Sequence, residues 1–370
     1  HERLRARLVA GNPPDVSLTV QSNFDLFGAI ANDQYRDLED LFDDKVEGKD
    51  ITYKDLFKPE SLNLGRVDGK IMLAPSDTSF LGWIYNKKLM SDNGWTVPKT
   101  WDEFMALCEK IKAKGIAPFT YQGIYPYYMI FGYINEAISA YGGEQGYKDT
   151  LLLGKQGAWN SDYAKKTIQN IADMRDKGYF LEGTTALNHT QAQMEFINGR
   201  AAFIPCGTWF EQEMKDSLPE GFEIGFMPIP IDASGKLYVG ITQCYFAVPK
   251  QAKNYDAAKA WIQFIYNDVR VQEIYTEHTM LPVLKEVAPS AVEKLPKSVQ
   301  DAISVATADN IGYADNIIPE TFYPTLYKVI GDNLTLVVLG EITSDQFCEN
   351  VEKEAERIRN DSSIRKFEVK

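Results

Sequence analysis

The stretch FINGRAAFIPCGTWF, residues 196–210, reads in three parts. The segment TQAQMEFING has the spacing of an amphipathic helix closed by Gly199. RAAFIPC is a short apolar run of strand length. GTWF then makes a glycine turn that sets the Trp209 indole just past the strand end. A helix, an apolar strand and a turn in succession belong to a layered α/β fold. Whether Trp209 is core or a surface for something to lie against has to be read from the rest of the chain.

Working outward, the same alternation recurs. An opening helix over residues 2–10 ends at Gly11, and Pro13-Pro14 stops it before the strand-like DVSLTV. DLEDLFDD, residues 37–44, reads as an acidic surface stretch. GRVDGKIMLAPSDTS reads as a hairpin turning at Asp68-Gly69, with KIMLAP as its second arm, and GWIYN is the next strand. A helix over 100–114 is predicted from Thr100 as cap, Glu103 closing a capping box, and Phe104, Leu107, Cys108 and Ile111 on one face. Gly115 ends it. GIAPFTY resumes strand character, and helices follow over 127–141 and 161–177. EIGFMPIP and YVGITQCYFAVPK are β-rich, NYDAAKAWIQFIYND is helical, and helix dominates the remainder. Strands alternating with helices along the chain imply α/β layers with parallel strands. There is no repeat of fixed period and no low-complexity tract.

The 370 residues suit two domains or one large one, and 44% apolar with 25% charged residues is ordinary for a globular protein. Lys and Arg total 39 against 52 Asp and Glu, a net charge of −13 that weighs against nucleic acid and anionic membrane surfaces as partners. No apolar run approaches the ~18 residues of a membrane span. Cys108, Cys206, Cys244 and Cys348 show no C-x-x-C spacing, and the three histidines are scattered, so no metal site is expected. Cys108 reads as a core thiol. The first residues, HERLRARLVAG, begin mid-helix with neither an apolar leader core nor a lipidation site, which suggests that something precedes them.

The catalytic motifs fail in turn: there is no G-x-S-x-G, no G-x-x-x-x-G-K-[ST], no H-E-x-x-H and no G-x-G-x-x-G after a strand. A carboxylate pair for glycoside hydrolysis has no support beyond the abundance of acids. The tyrosines of YPYY, residues 125–128, read as loop or first-turn packing rather than as iron ligands. Recognition without catalysis remains. Aromatic faces stack on the apolar faces of sugar rings, while amides and carboxylates bond hydroxyls, and such groups converge in clefts between domains. The candidate pieces stand at strand ends: QSN, SDT, YQGIYPYY, GTW and GITQ.

These pieces resemble the extracellular solute-binding proteins of ABC transporters, in the carbohydrate-binding branch that includes maltose-binding protein. The resemblance rests on LVAGNPPDV, DGKIMLAP, GWIYNKKLM, VPKTWDEF, FINGRAAFIPCGTW, GFMPIP and FAVPKQAKNYDAAKAWIQFI, in family order over about residues 1–285. It implies a periplasmic-binding-protein-like α/β fold of two lobes joined by multiple hinge crossings in the type II order. The first lobe is expected over 1–78 and 243–300, the second over 83–238 and 301–370, with hinges near 78–83 and 238–243. In the family, a strand and part of a helix with ligand-contacting residues precede the segment matched by LVAGNPPDV.

The resemblance further implies ligand-binding roles for Asn23, Asp77 and Thr78, for Tyr127 as an aromatic platform and Trp209 as a stacking indole, and for Gly240 and Gln243 at the return crossing. It implies an extracytoplasmic monomer, periplasmic or a cell-surface lipoprotein of a Gram-positive bacterium. Such a protein passes a mono- or oligosaccharide to permease subunits, with no cofactor and no metal. A polyamine, ferric ion or organic anion is the alternative cargo, and a glycoside-acting enzyme the alternative outside the class. Asn, Asp, Thr, Gln, Tyr and Trp at strand ends suit a neutral polyhydroxylated ligand better than a polyamine or an anion.

Overall fold

The computed structural model describes residues 2–19, 26–57, 61–62 and 65–366. The chain forms two compact units. One comprises His1–Ser79, Thr242–Pro296 and Glu320–Phe322; the other comprises Phe80–Ile241, Lys297–Pro319 and Tyr323–Lys370. The strands in chain order are β1 Ser17–Thr19, β2 Arg66–Val67, β3 Lys70–Ile71, β4 Ala74–Asn86, β5 Ala117–Phe119, β6 Ala201–Gly207, β7 Ile224–Met227, β8 Leu237–Ala247, β9 Leu281–Pro282 and β10 Ile311–Asp315. Unit boundaries fall inside β4 and β8.

In the first unit, β1 runs antiparallel to the end of β8, with Leu18 opposite Phe246. β9 runs antiparallel to β4 at Asp77 and Thr78. The expected hairpin is present: β2 and β3 pair across Asp68 and Gly69, both at positive φ, as a two-residue turn matching strand twist requires. Its second arm is shorter than KIMLAP, since β3 ends at Ile71 and β4 starts afresh at Ala74. The acidic stretch 37–44 is not simply surface. Leu38, Leu41 and Phe42 are fully buried against Phe57, Ile262 and Tyr266, while Asp40 and Asp43 on the opposite face pair with Lys259 and Lys54. The i, i+3, i+4 spacing of 38, 41 and 42 decides the burial, whatever the charge between them.

In the second unit, β4 runs antiparallel to β6, Leu81 opposite Gly207, and to β7, Trp83 opposite Met227. β5 is parallel to β6, and β10 is parallel to β8. The pairing is therefore mixed rather than wholly parallel. Alternating strands and helices set layers, but direction depends on where each connection returns the chain. The helix Trp101–Lys112 carries the expected capping box of Thr100 and Glu103 and buries Phe104, Leu107, Cys108 and Ile111. Trp83 anchors this core. It is 1% exposed, its indole N–H donates to the Gly132 carbonyl at 2.8 Å, and the rings of Phe104 and Phe119 lie 4.8 and 4.9 Å away. Among the described residues, no helix is long and apolar enough to cross a membrane.

Candidate ligand-binding site

The opening stretch folds in the three parts its sequence suggests. A capping box of Asn188 and Gln191 starts the helix His189–Ile197, Gly199 turns the chain at positive φ, and β6 follows with every residue buried. Past its end the two large rings part company. Phe210 goes into the core, 5.5 Å from Phe196, whereas Trp209 stays half-buried as the N-cap residue of the helix Phe210–Met214. Its indole folds back over Gly207, where a Cβ would overlap the six-membered ring. Only glycine leaves that space open. Trp209 is thus a surface ring with a fixed seat.

Tyr127 belongs to the same unit and joins Trp209 through a run of contacts. It stacks on Tyr128 with centroids 4.6 Å apart, and Tyr128 lies flat on His189 at 4.7 Å and 12°. The His189 Nε2 meets Glu213 Oε2 at 2.6 Å, and the Glu213 backbone N–H donates to the Trp209 carbonyl at 3.1 Å. The Gln193 amide donates to the same Glu213 oxygen at 2.7 Å. In YPYY the rings of Tyr127 and Tyr128 are stacked, and the Tyr128 hydroxyl sits 3.4 Å from His189 Nε2.

Asp77, Thr78 and Gln243 fall in the first unit. Asp77 is 8% exposed in β4 and accepts from the Ser76 hydroxyl at 2.9 Å. Burial pushes its carboxyl above the usual range, against the pull of the Ser76 hydroxyl and Cys244 thiol. The Thr78 hydroxyl donates to the Thr242 carbonyl at 3.1 Å, and the Gln243 amide to the Ser61 carbonyl at 3.1 Å. Both side chains thereby tie backbone segments together. Gly240, in the second unit, has its Cα face closed by protein: a Cβ there would lie 2.5 Å from Asn316 Nδ2 and 2.6 Å from the Phe131 carbonyl, and would overlap Glu136. Its absent side chain makes room for Glu136, a fully buried acid whose carboxyl burial holds well above the usual range. Asn23 lies outside the described residues.

The sequence model of the bacterial extracellular solute-binding protein family matches residues 1–303. The chain belongs to that family. The diacetylchitobiose binding protein NgcE of Streptomyces coelicolor is 25% identical to this solute-binding protein over 375 residues, 99% of this chain and 78% of the relative. The multiple sugar-binding protein of Streptococcus mutans is 24% identical over 275 residues, 74% of this chain and 63% of its own length. Among solved structures, a chitin oligosaccharide binding protein superimposes with a TM-score of 0.78 at 22% identity, covering 96% of this chain and 86% of that one. That likeness fixes the fold as that of periplasmic solute-binding proteins. The family and these relatives are binding proteins.

The sequence singles out Tyr127 and Trp209 as candidates but not the groups that hold them. Tyr128, His189, Gln193 and Glu213 carry no such assignment from sequence. Tyr128 was visible in YPYY, and His189 and Gln193 share a helix face at i, i+4. Nothing in the spacing pairs His189 with Glu213, 24 residues on.

Proposed function

We propose that this solute-binding protein is the sugar receptor of an ABC importer, holding a mono- or oligosaccharide against the Trp209 and Tyr127 rings and passing it to the membrane permease without catalysis. The observation that carries the reading is the half-buried Trp209 indole, fixed over Gly207 at the end of β6 and linked to the stacked tyrosines. A rigid aromatic face suits the apolar face of a pyranose, since its stacking area costs little conformational entropy. Asp77 supplies a carboxylate acceptor for sugar hydroxyls. The names of NgcE and of the Streptococcus mutans relative support a carbohydrate cargo and put N-acetylglucosamine oligosaccharides first for testing. The protein works outside the cytoplasm, in the periplasm or as a surface lipoprotein, as a monomer. Residues 78–83 and 238–243 act as the hinge.

Thermal shift against a panel of chitooligosaccharides, xylooligosaccharides, maltose and raffinose, with spermidine and ferric citrate as controls, tests the class of cargo. A ligand at a hundred times its Kd stabilises by about 2.7 kcal/mol, a shift of several degrees. A sugar should give that shift and the controls none. A shift with spermidine or iron alone contradicts a sugar cargo, and turnover of a chromogenic glycoside contradicts the absence of catalysis.

A further inference from the structure

We infer that Glu213 is a positioning residue for Trp209: its carboxylate, gripped by His189 and Gln193, fixes the turn that aims the indole. The inference rests on the reading of Trp209 as the sugar-facing ring. Trp209 stands at the start of a helix of only five residues, Phe210–Met214, which has no stability of its own and must be held by its surroundings. Phe210 and Met214 hold it from the core side. On the other side, the 40% exposed Glu213 side chain is the handle.

The grip comes from one face of the helix His189–Ile197, where His189 and Gln193 stand one turn apart. Both donate to the same Glu213 oxygen, at 2.6 and 2.7 Å. His189 is itself pinned by its parallel stack on Tyr128. Gln193 is 1% exposed, so its amide meets the Glu213 oxygen from inside the fold. The Trp209 carbonyl accepts from the Glu213 backbone N–H, so the gripped residue is tied directly to the turn that carries the indole. Removing the carboxylate strips acceptors from one buried amide and one imidazole and frees the turn.

The test labels the full chain with 5-fluorotryptophan and follows the Trp209 ¹⁹F resonance, assigned by Trp209→Phe among the 6 tryptophans. Glu213→Ala should move or broaden that resonance and leave the others in place. It should also weaken binding of the sugar selected by thermal shift by roughly five- to tenfold. Glu213→Gln keeps an acceptor oxygen and should restore both readouts to within about twofold of wild type. His189→Phe keeps the stack on Tyr128 but loses the donor, and should move the same resonance, which covers the case of a Glu213→Ala chain that does not fold. Trp209→Ala separates the two claims: unchanged affinity there overturns the sugar-facing reading. A loss there, combined with an unmoved Trp209 resonance and full affinity in Glu213→Ala, overturns the positioning role alone.

Discussion

Gly207 and Trp209 share one volume: the indole rests where any side chain at position 207 would have to go. The bare strand end is thus the seat of the ring, and the orientation of the indole is written into a glycine two residues before it. Gly207→Ala should push the indole aside. The expected result is a loss of sugar affinity of roughly tenfold or more, with a melting temperature lowered by only a few degrees, because Trp209 is not a core ring. Calorimetry and thermal melting on the same variant check this, and unchanged affinity would show that the indole's present seat is immaterial to binding.

Gly240 makes the opposite prediction. Its Cα face is closed by Asn316, Phe131 and Glu136, all in the same unit, so Gly240→Ala forces a methyl group into filled space. Overpacking of this kind costs about 1–3 kcal/mol. Chemical denaturation should show the loss with or without sugar. A variant of wild-type stability and reduced sugar affinity would return Gly240 to the ligand-contact role expected from its place in GITQ.

What was legible in the sequence was local. The capping box of Thr100 and Glu103, the Asp68-Gly69 turn and the apolar run of β6 each depend on residues within a few positions of one another, and each is present. What was hidden depended on distant partners. The burial of Leu38, Leu41 and Phe42 needs the Tyr255–Asn267 helix to cover them, and the acids around them masked the pattern. Strand direction is decided by returning connections rather than by strand composition, so a mixed sheet looked parallel. The grip on Glu213 joins two helices that nothing in their spacing connects.

Asp77→Asn should weaken sugar binding more than Thr78→Ala. The carboxylate offers a charged acceptor, whereas the Thr78 hydroxyl already donates to the Thr242 carbonyl. Losses of roughly tenfold and threefold or less are expected by calorimetry with one cognate sugar. A reversed ranking would remove Asp77 from the site.

Stability should fall as the pH rises from 4.5 to about 7 and then level off. Burial pushes the Glu320 carboxyl from an ordinary value of 4.5 up to about 7. A carboxyl whose folded value is raised binds its proton more tightly in the folded state. Its contribution is whole below 4.5 and is lost as the pH climbs through about 7. Glu320→Gln cannot ionise, so its melting temperature should drop less between pH 5 and 8 than that of the wild type. Parallel curves for the two proteins would mean that Glu320 titrates like an exposed acid.

Calorimetric titration of Trp209→Ala beside wild type decides whether a sugar lies on the Trp209 indole. Diacetylchitobiose is the first titrant, followed by whichever panel sugar gives the largest thermal shift. Truncating an aromatic anchor costs on the order of 1–3 kcal/mol, so affinity should fall roughly 5- to 150-fold while the melting temperature without sugar stays within a few degrees. Wild-type affinity in a folded Trp209→Ala protein would mean that the sugar does not lie on this indole.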